Sequence, residues 1–181
     1  TRWADNDIYG HVNNVVYYSY FDTVANQYLI EFADFNPINA SIIGVVVHSN
    51  CTYIKAIAYP NKIEAGLTIK KLGKTSVTYG IGIFKKGEKA AYAYGEFVHV
   101  FVNRKDNQPT SIPKKINEAF LLKFNEANAF GLQHIAEVVV NIDYPLYDLT
   151  IYYTQNISYN FDASKQEGLN NFLSYLKESN Q

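Results

Sequence analysis

The stretch from residue 12 to residue 32 constrains this chain most, because it runs without proline or glycine and repeats its apolar positions at helical spacing. Tyr17, Phe21, Val24, Tyr28 and Phe32 follow one another at intervals of three and four, which stacks them on one face of a helix. Val16, Tyr20 and Leu29 widen that stripe. A helix this apolar needs cover from the rest of the fold.

The cover is written in the next segments, where the period changes from three-and-a-half to two. Residues 44–57 alternate loosely and are rich in valine, threonine and tyrosine. Pro60-Asn61 marks a turn before a strand over 62–72, Gly73-Lys74 a turn before 76–84, and Lys85-Lys86-Gly87-Glu88 a hairpin into 90–102. Successive strands on short turns make an antiparallel meander, and a single long helix ahead of it gives an α+β fold with the sheet wrapped round the helix. The aromatic content of 15%, with sixteen tyrosines and no methionine, suits such a sheet. The chain opens at Thr1 on what reads as the tail of a strand, so the first strand is expected to be truncated.

Beyond residue 103 the composition turns polar, punctuated by Pro109 and Pro113. Ile116, Phe120, Phe124 and Ala127 predict a helix over 116–128, and the tyrosine-rich remainder is helical in pattern. Asp162-Ala163-Ser164-Lys165 reads as a helix start ahead of Leu169, Phe172, Leu173 and Leu176. The expected organisation is a domain over 1–112 and a C-terminal helical extension over 113–181.

A formal net charge of -1 gives no field for nucleic acid. No apolar run is long enough to span a membrane. The lone Cys51 has no partner for an internal disulfide, which points to a reducing, cytoplasmic compartment.

The chemistry is concentrated in Asp5-Asn6-Asp7-Ile8-Tyr9-Gly10-His11-Val12-Asn13-Asn14. Two carboxylates, a glycine, a histidine and two amides precede the apolar helix directly. A helix start carries unpaired N–H groups and a partial positive charge, so it can polarise a carbonyl and hold the oxyanion formed on attack. A carboxylate just upstream can activate water or attack the carbonyl itself, and Gly10 permits the tight turn between the two. An Asx-rich turn that does no more than cap the helix fits the spacing equally well. A calcium loop does not, because its twelfth position would be Val16 and its fifth Tyr9. His48, His99 and His134 lack ligand spacing to His11, so no metal is expected.

At these residues, from Thr1-Arg2-Trp3-Ala4 through Asn14 and on to Tyr17, Tyr20, Phe21 and Asp22, the chain resembles the hotdog-fold thioesterases of the 4-hydroxybenzoyl-CoA thioesterase branch. The likeness extends more loosely to about residue 101, with Tyr53 and Gly73-Lys74-Thr75-Ser76 as its best points. It implies a hotdog fold and an acyl-CoA hydrolase in which Asp7 acts as general base or nucleophile. By the same likeness, the amides from His11 to Asn14 donate to the oxyanion. The candidate catalytic set is thus Asp7, His11 and Asn14, although some relatives carry histidine where this chain has Asn14. Tyr9, Gly10, Val12, Asn13, Lys74 and Ser76 are the expected substrate contacts. The resemblance further implies a homodimer or homotetramer with sites between subunits, coenzyme A thioesters as substrates, and no cofactor. Eight lysines between Lys55 and Lys89, against Glu64 and Glu88, offer partners for nucleotide phosphates, although lysines at turns also serve simply to protect sheet edges.

A second likeness covers 124–177, where Phe130-Gly131-Leu132, Asn156-Ile157-Ser158-Tyr159 and Gly168-Leu169-Asn170-Asn171-Phe172 are similar to the C-terminal end of chorismate dehydratases of the futalosine route to menaquinone. An end piece alone cannot form that enzyme's pocket. Two other functions remain open from sequence: a hotdog module that binds acyl-CoA without cleaving it, and a hotdog dehydratase acting on acyl-carrier-protein thioesters with a histidine and a carboxylate.

Overall fold

The computed structural model describes residues 1–139 and 148–156. The elements in order are α1 (Asn14–Ala33), β1 (Ile42–Tyr53), β2 (Ile63–Leu72), β3 (Ser76–Lys85), β4 (Ala91–Asn103) and α2 (Lys114–Gln133). The strands form one antiparallel sheet in the order β1-β4-β3-β2. β2, β3 and β4 are the expected meander, while β1 crosses to pair with β4. This is the hotdog arrangement, a sheet curled round one long helix.

α1 begins where Asn13, in an extended conformation, accepts the Val15 amide on its side chain at 3.2 Å. It ends at Asp34, which is left-handed at φ 52°. Its buried row is Tyr17, Phe21, Ala25, Leu29 and Ala33, not the row that the large side chains predicted. Val24 and Tyr28 are half-buried and Phe32 lies exposed, stacked on Tyr28. The reason lies in the sheet. A row spaced by four drifts about 40° per step around a helix, which follows a twisted surface curling round it. Ala25 and Ala33 bring the helix axis close to that surface.

Phe21 meets Phe97 of β4 at a ring separation of 6.3 Å and Tyr17 meets Tyr53 of β1 at 5.1 Å. Gly95 of β4 permits the closest approach, since a Cβ there would overlap the Asn50 carbonyl oxygen and the Phe21 ring. Fully burying each large apolar side chain contributes about 1.5–3 kcal/mol.

The strand bounds differ from the sequence reading mainly at β1. It stops at Tyr53 because the Ile54 and Lys55 amides both donate to the one Tyr92 carbonyl, at 2.8 and 3.0 Å, which ends the ladder. Thr1 to Ala4 does not form a strand tail: Trp3–Asp5 is a single 3-10 turn.

The chain divides into two compact units, Thr1–Ala127 and Asn128–Gln181. Ile116, Ala119 and Phe120 belong to the same core as the sheet and α1, and the Tyr28 hydroxyl donates to the Ala119 carbonyl at 2.7 Å. The first unit therefore takes in residues that the sequence alone placed with the extension. In the second, the described residues form the end of α2, with Phe130-Gly131-Leu132 in it, and short helical turns at Ile135–Val139, Leu149–Ile151 and Tyr152–Asn156. The helix start read at 162–165, and the segments 157–159 and 168–172, lie outside the described residues. Among the described residues no helix is long and apolar enough to cross a membrane.

Candidate active site

The motif ahead of α1 folds as a loop closed at its base. Asn6 and Val12 form an isolated antiparallel bridge. The Asp7 amide donates to the His11 carbonyl at 3.0 Å, and the Gly10 amide to the Asp7 carbonyl at 3.1 Å. Gly10 sits at φ +86°, a conformation that a side chain would strain. The loop is tied to the segment after β1, where the Val12 amide donates to the Ile57 carbonyl at 2.7 Å and the Tyr59 amide to the Asn6 side chain at 3.0 Å.

The two carboxylates are used differently. Asp5 is 1% exposed. Its oxygens accept the Arg2 amide at 2.6 Å, the Arg2 Nε at 2.9 Å and the Tyr20 hydroxyl at 2.9 Å. Burial alone would raise its pKa, but the hydrogen bonds from Arg2 and Tyr20 outweigh it and hold the carboxyl below its ordinary value. In Tyr20, burial and the bond to Asp5 push the phenol well up, so it stays a donor. Asp7 has no such partners. One oxygen accepts the Tyr9 amide at 2.8 Å, closing an Asx turn, and lies 3.8 Å from His11 Nδ1.

Asp7 lines a cavity of about 400 Å³ together with His11, Val12, Asn14, Tyr17 and Tyr53, and the 54–56 segment completes it. The Tyr53 hydroxyl donates to the Asn14 carbonyl at 3.1 Å, pinning the first helical residue to the end of β1. In the first turn of α1, Val15 donates to the Asn13 side chain and Val16 to the Asn13 carbonyl. The Asn14 amide has no protein acceptor among the described residues. A carboxylate and the start of a helix thus share one cavity, as attack on a carbonyl requires.

Of the residues singled out from sequence, the fold gathers Asp7, His11, Val12 and Asn14 at this cavity. Asn13 caps α1 instead, Gly10 makes the turn, and Tyr9 is exposed with its ring stacked on His11 at 6.3 Å. Lys74 and Ser76 stand at the other end of the sheet. Ser76 pairs with Val100 and Tyr53 with Ala93, seven residues apart along β4, or roughly 23 Å at the usual strand rise. One chain does not bring them to this cavity. The contribution of Tyr17 to the wall and the bond from Tyr20 to Asp5 are not read from sequence, where both residues figure in the apolar stripe and in the family resemblance without a role at the site.

A sequence profile of the thioesterase superfamily matches residues 9–92. The chain is 47% identical to the PA5185 protein of Pseudomonas aeruginosa, covering 87% of that protein and 68% of this chain, with a TM-score of 0.68. It is 29% identical to the PA2801 protein of the same species, which carries a thioesterase designation, covering 92% of it and 66% of this chain at a TM-score of 0.61. A gentisyl-coenzyme A thioesterase shares the fold at 22% identity and a TM-score of 0.60, over 94% of its length and 66% of this chain. No curated protein sequence matches. The fold, the profile match and these relatives define a hotdog thioester hydrolase, and this chain belongs to the thioesterase superfamily.

Proposed function

We propose that the chain hydrolyses acyl-coenzyme A thioesters to a free carboxylic acid and coenzyme A, with Asp7 as the acid–base or nucleophilic residue. The observation that carries this reading is the shared cavity of Asp7 and Asn14, set beside the full use of Asp5 elsewhere. As a base, Asp7 takes a proton from water while the water oxygen adds to the thioester carbon. The Asn14 amide stabilises the developing oxyanion; as that intermediate collapses the C–S bond breaks, and the proton held by Asp7 passes to the departing sulfur, releasing the thiol and restoring the carboxylate. As a nucleophile, Asp7 adds to the thioester carbon, the C–S bond breaks and coenzyme A leaves as its thiolate; water then opens the mixed anhydride to the free acid and the regenerated Asp7 carboxylate. Either route uses only protein groups and water.

In the same reading the protein acts as a homodimer or homotetramer. Lys74 and Ser76 then contact the coenzyme on the site of a neighbouring copy, which accounts for their distance from Asp7 in their own chain.

Replacing Asp7 with Asn should lower thiol release from a panel of acyl-CoAs by about a thousandfold while leaving the melting temperature within a few degrees. Undiminished turnover would refute the assignment. The 3.8 Å approach of His11 to Asp7 also supports a second reading, a dehydratase on acyl-carrier-protein thioesters. Formation of an enoyl thioester from a 3-hydroxyacyl thioester without thiol release would select it.

A further inference from the structure

Residue 5 holds the site loop at both of its roots. Its backbone carbonyl accepts the Asn13 amide at 2.8 Å, gripping the residue that starts α1. Its buried carboxylate accepts the Tyr20 hydroxyl, on the same helix, at 2.9 Å. The loop that carries Asp7 is strung between these two points, since it leaves residue 5 on one side and returns to Asn13 on the other. We propose that the Asp5–Tyr20 pair is a positioning device for thioester hydrolysis, fixing the gap between the Asp7 carboxylate and the Asn14 amide. This rests on the reading of Asp7 as the reacting carboxylate.

Three features support it. Tyr20 is not among the residues that line the cavity, and its hydroxyl is spent on the buried Asp5 carboxylate, so its route to the reacting groups runs through residue 5. The remaining partner of Asp5, Arg2, has a side chain 75% exposed and spends side-chain entropy to hold its geometry. Without the Tyr20 hydroxyl, the carboxylate is tied to residue 2, three positions away on its own short turn, and no longer to the helix. Finally, the rate of a positioned reaction is steep in geometry. A misplacement of about 1 Å costs on the order of a hundredfold, whereas binding of the thioester elsewhere in the cavity is little altered.

The test compares Tyr20→Phe with Tyr28→Phe in the full chain. Tyr28 loses a hydroxyl bond of the same kind, to the Ala119 carbonyl, but its partner is in α2 rather than the site loop. With the best-hydrolysed member of an acetyl-, hexanoyl- and benzoyl-CoA panel, Tyr20→Phe should lower kcat at least tenfold with KM within twofold. Tyr28→Phe should keep the kcat of the parent even if it melts earlier. Exchange of the Asn13 amide proton should quicken in Tyr20→Phe alone, a readout that needs no turnover. Asp5→Asn should follow Tyr20→Phe if it folds.

A Tyr20→Phe enzyme with parental kcat and unchanged Asn13 exchange overturns the proposal, as does an equal loss in both tyrosine variants. If Asp7→Asn is inactive in the same assays, such a failure belongs to the positioning idea alone. If Asp7→Asn turns over normally, the assignment of Asp7 as the reacting carboxylate falls and the proposal with it.

Discussion

Tyr79 and His99 meet edge to face in the core with ring centres 5.2 Å apart, and neither the phenol oxygen nor either imidazole nitrogen has a hydrogen-bond partner among the described residues. His99 packs on Phe97 on one side and against Gly44 on the other, where a Cβ would come 2.9 Å from its Nδ1. Burial dominates its titration and pushes its pKa down to about 4, with the charge of Asp22 acting weakly the other way. The core therefore keeps the ring neutral.

Acid stability follows from that depression. Above pH 6.5 the ring is neutral in both folded and unfolded chains and contributes no pH dependence. Between pH 6.5 and about 4 the unfolded chain takes up a proton that the folded one refuses, so stability falls as pH drops, by at most on the order of 3 kcal/mol. Below about 4 the loss is complete. His99→Leu removes the titration, so its melting temperature should rise relative to the parent more at pH 5 than at pH 7.5. Equal shifts at both values would show that His99 does not titrate in this range.

Gly95 should tolerate no side chain. Gly95→Ala drives a methyl into the Asn50 carbonyl and the Phe21 ring, two groups fixed by the β1–β4 ladder and the helix. The expected loss is about 3 kcal/mol or more, read by urea unfolding. Gly10→Ala meets no atom within 4 Å and only a strained φ of +86°, so its cost should be near 1 kcal/mol. The reverse order of the two would mean that α1 and β4 do not approach as closely as described.

Asn13 should behave as a cap. Its side chain serves the Val15 amide, so Asn13→Ala should destabilise by about 1 kcal/mol. Asn13→Asp should retain most of that stability, because a carboxylate also accepts the amide and suits the helix start. A selective rise in KM with no change in melting would instead make it a substrate contact.

The sequence carried the helix and the hairpins because these are local: periodicity and turn residues sit within a few positions of what they control. It did not carry the row by which α1 touches the sheet, since Ala25 and Ala33 are chosen by the twist of strands that come later in the chain. Residues 54–57 kept the composition of a strand, yet left the ladder when Tyr92, nearly forty positions on, offered its carbonyl to two amides. The site was legible as a motif, and the family resemblance singled out Asp7 within it. Spacing alone does not separate Asp5 from Asp7, and the Tyr20 hydroxyl and the Arg2 guanidinium supply the physical difference between them. Lys74 and Ser76 entered the candidate site through the family resemblance of their turn, and strand direction sets them at the far end of the sheet from Asp7 in their own chain.

The seat of Ala25 has a consequence for how such an enzyme can drift. It is fully buried against the sheet, eleven residues or roughly 16 Å along the helix from Asn14. A larger residue there lifts the whole rod, and because the rod is stiff its amino end tilts as well. A change of one or two methyl groups in the middle of the scaffold thus alters the distance over which a carbonyl is attacked. Neutral substitutions at Ala25 should be rare, and any that persist should come with shrinkage at Phe21 or Phe97.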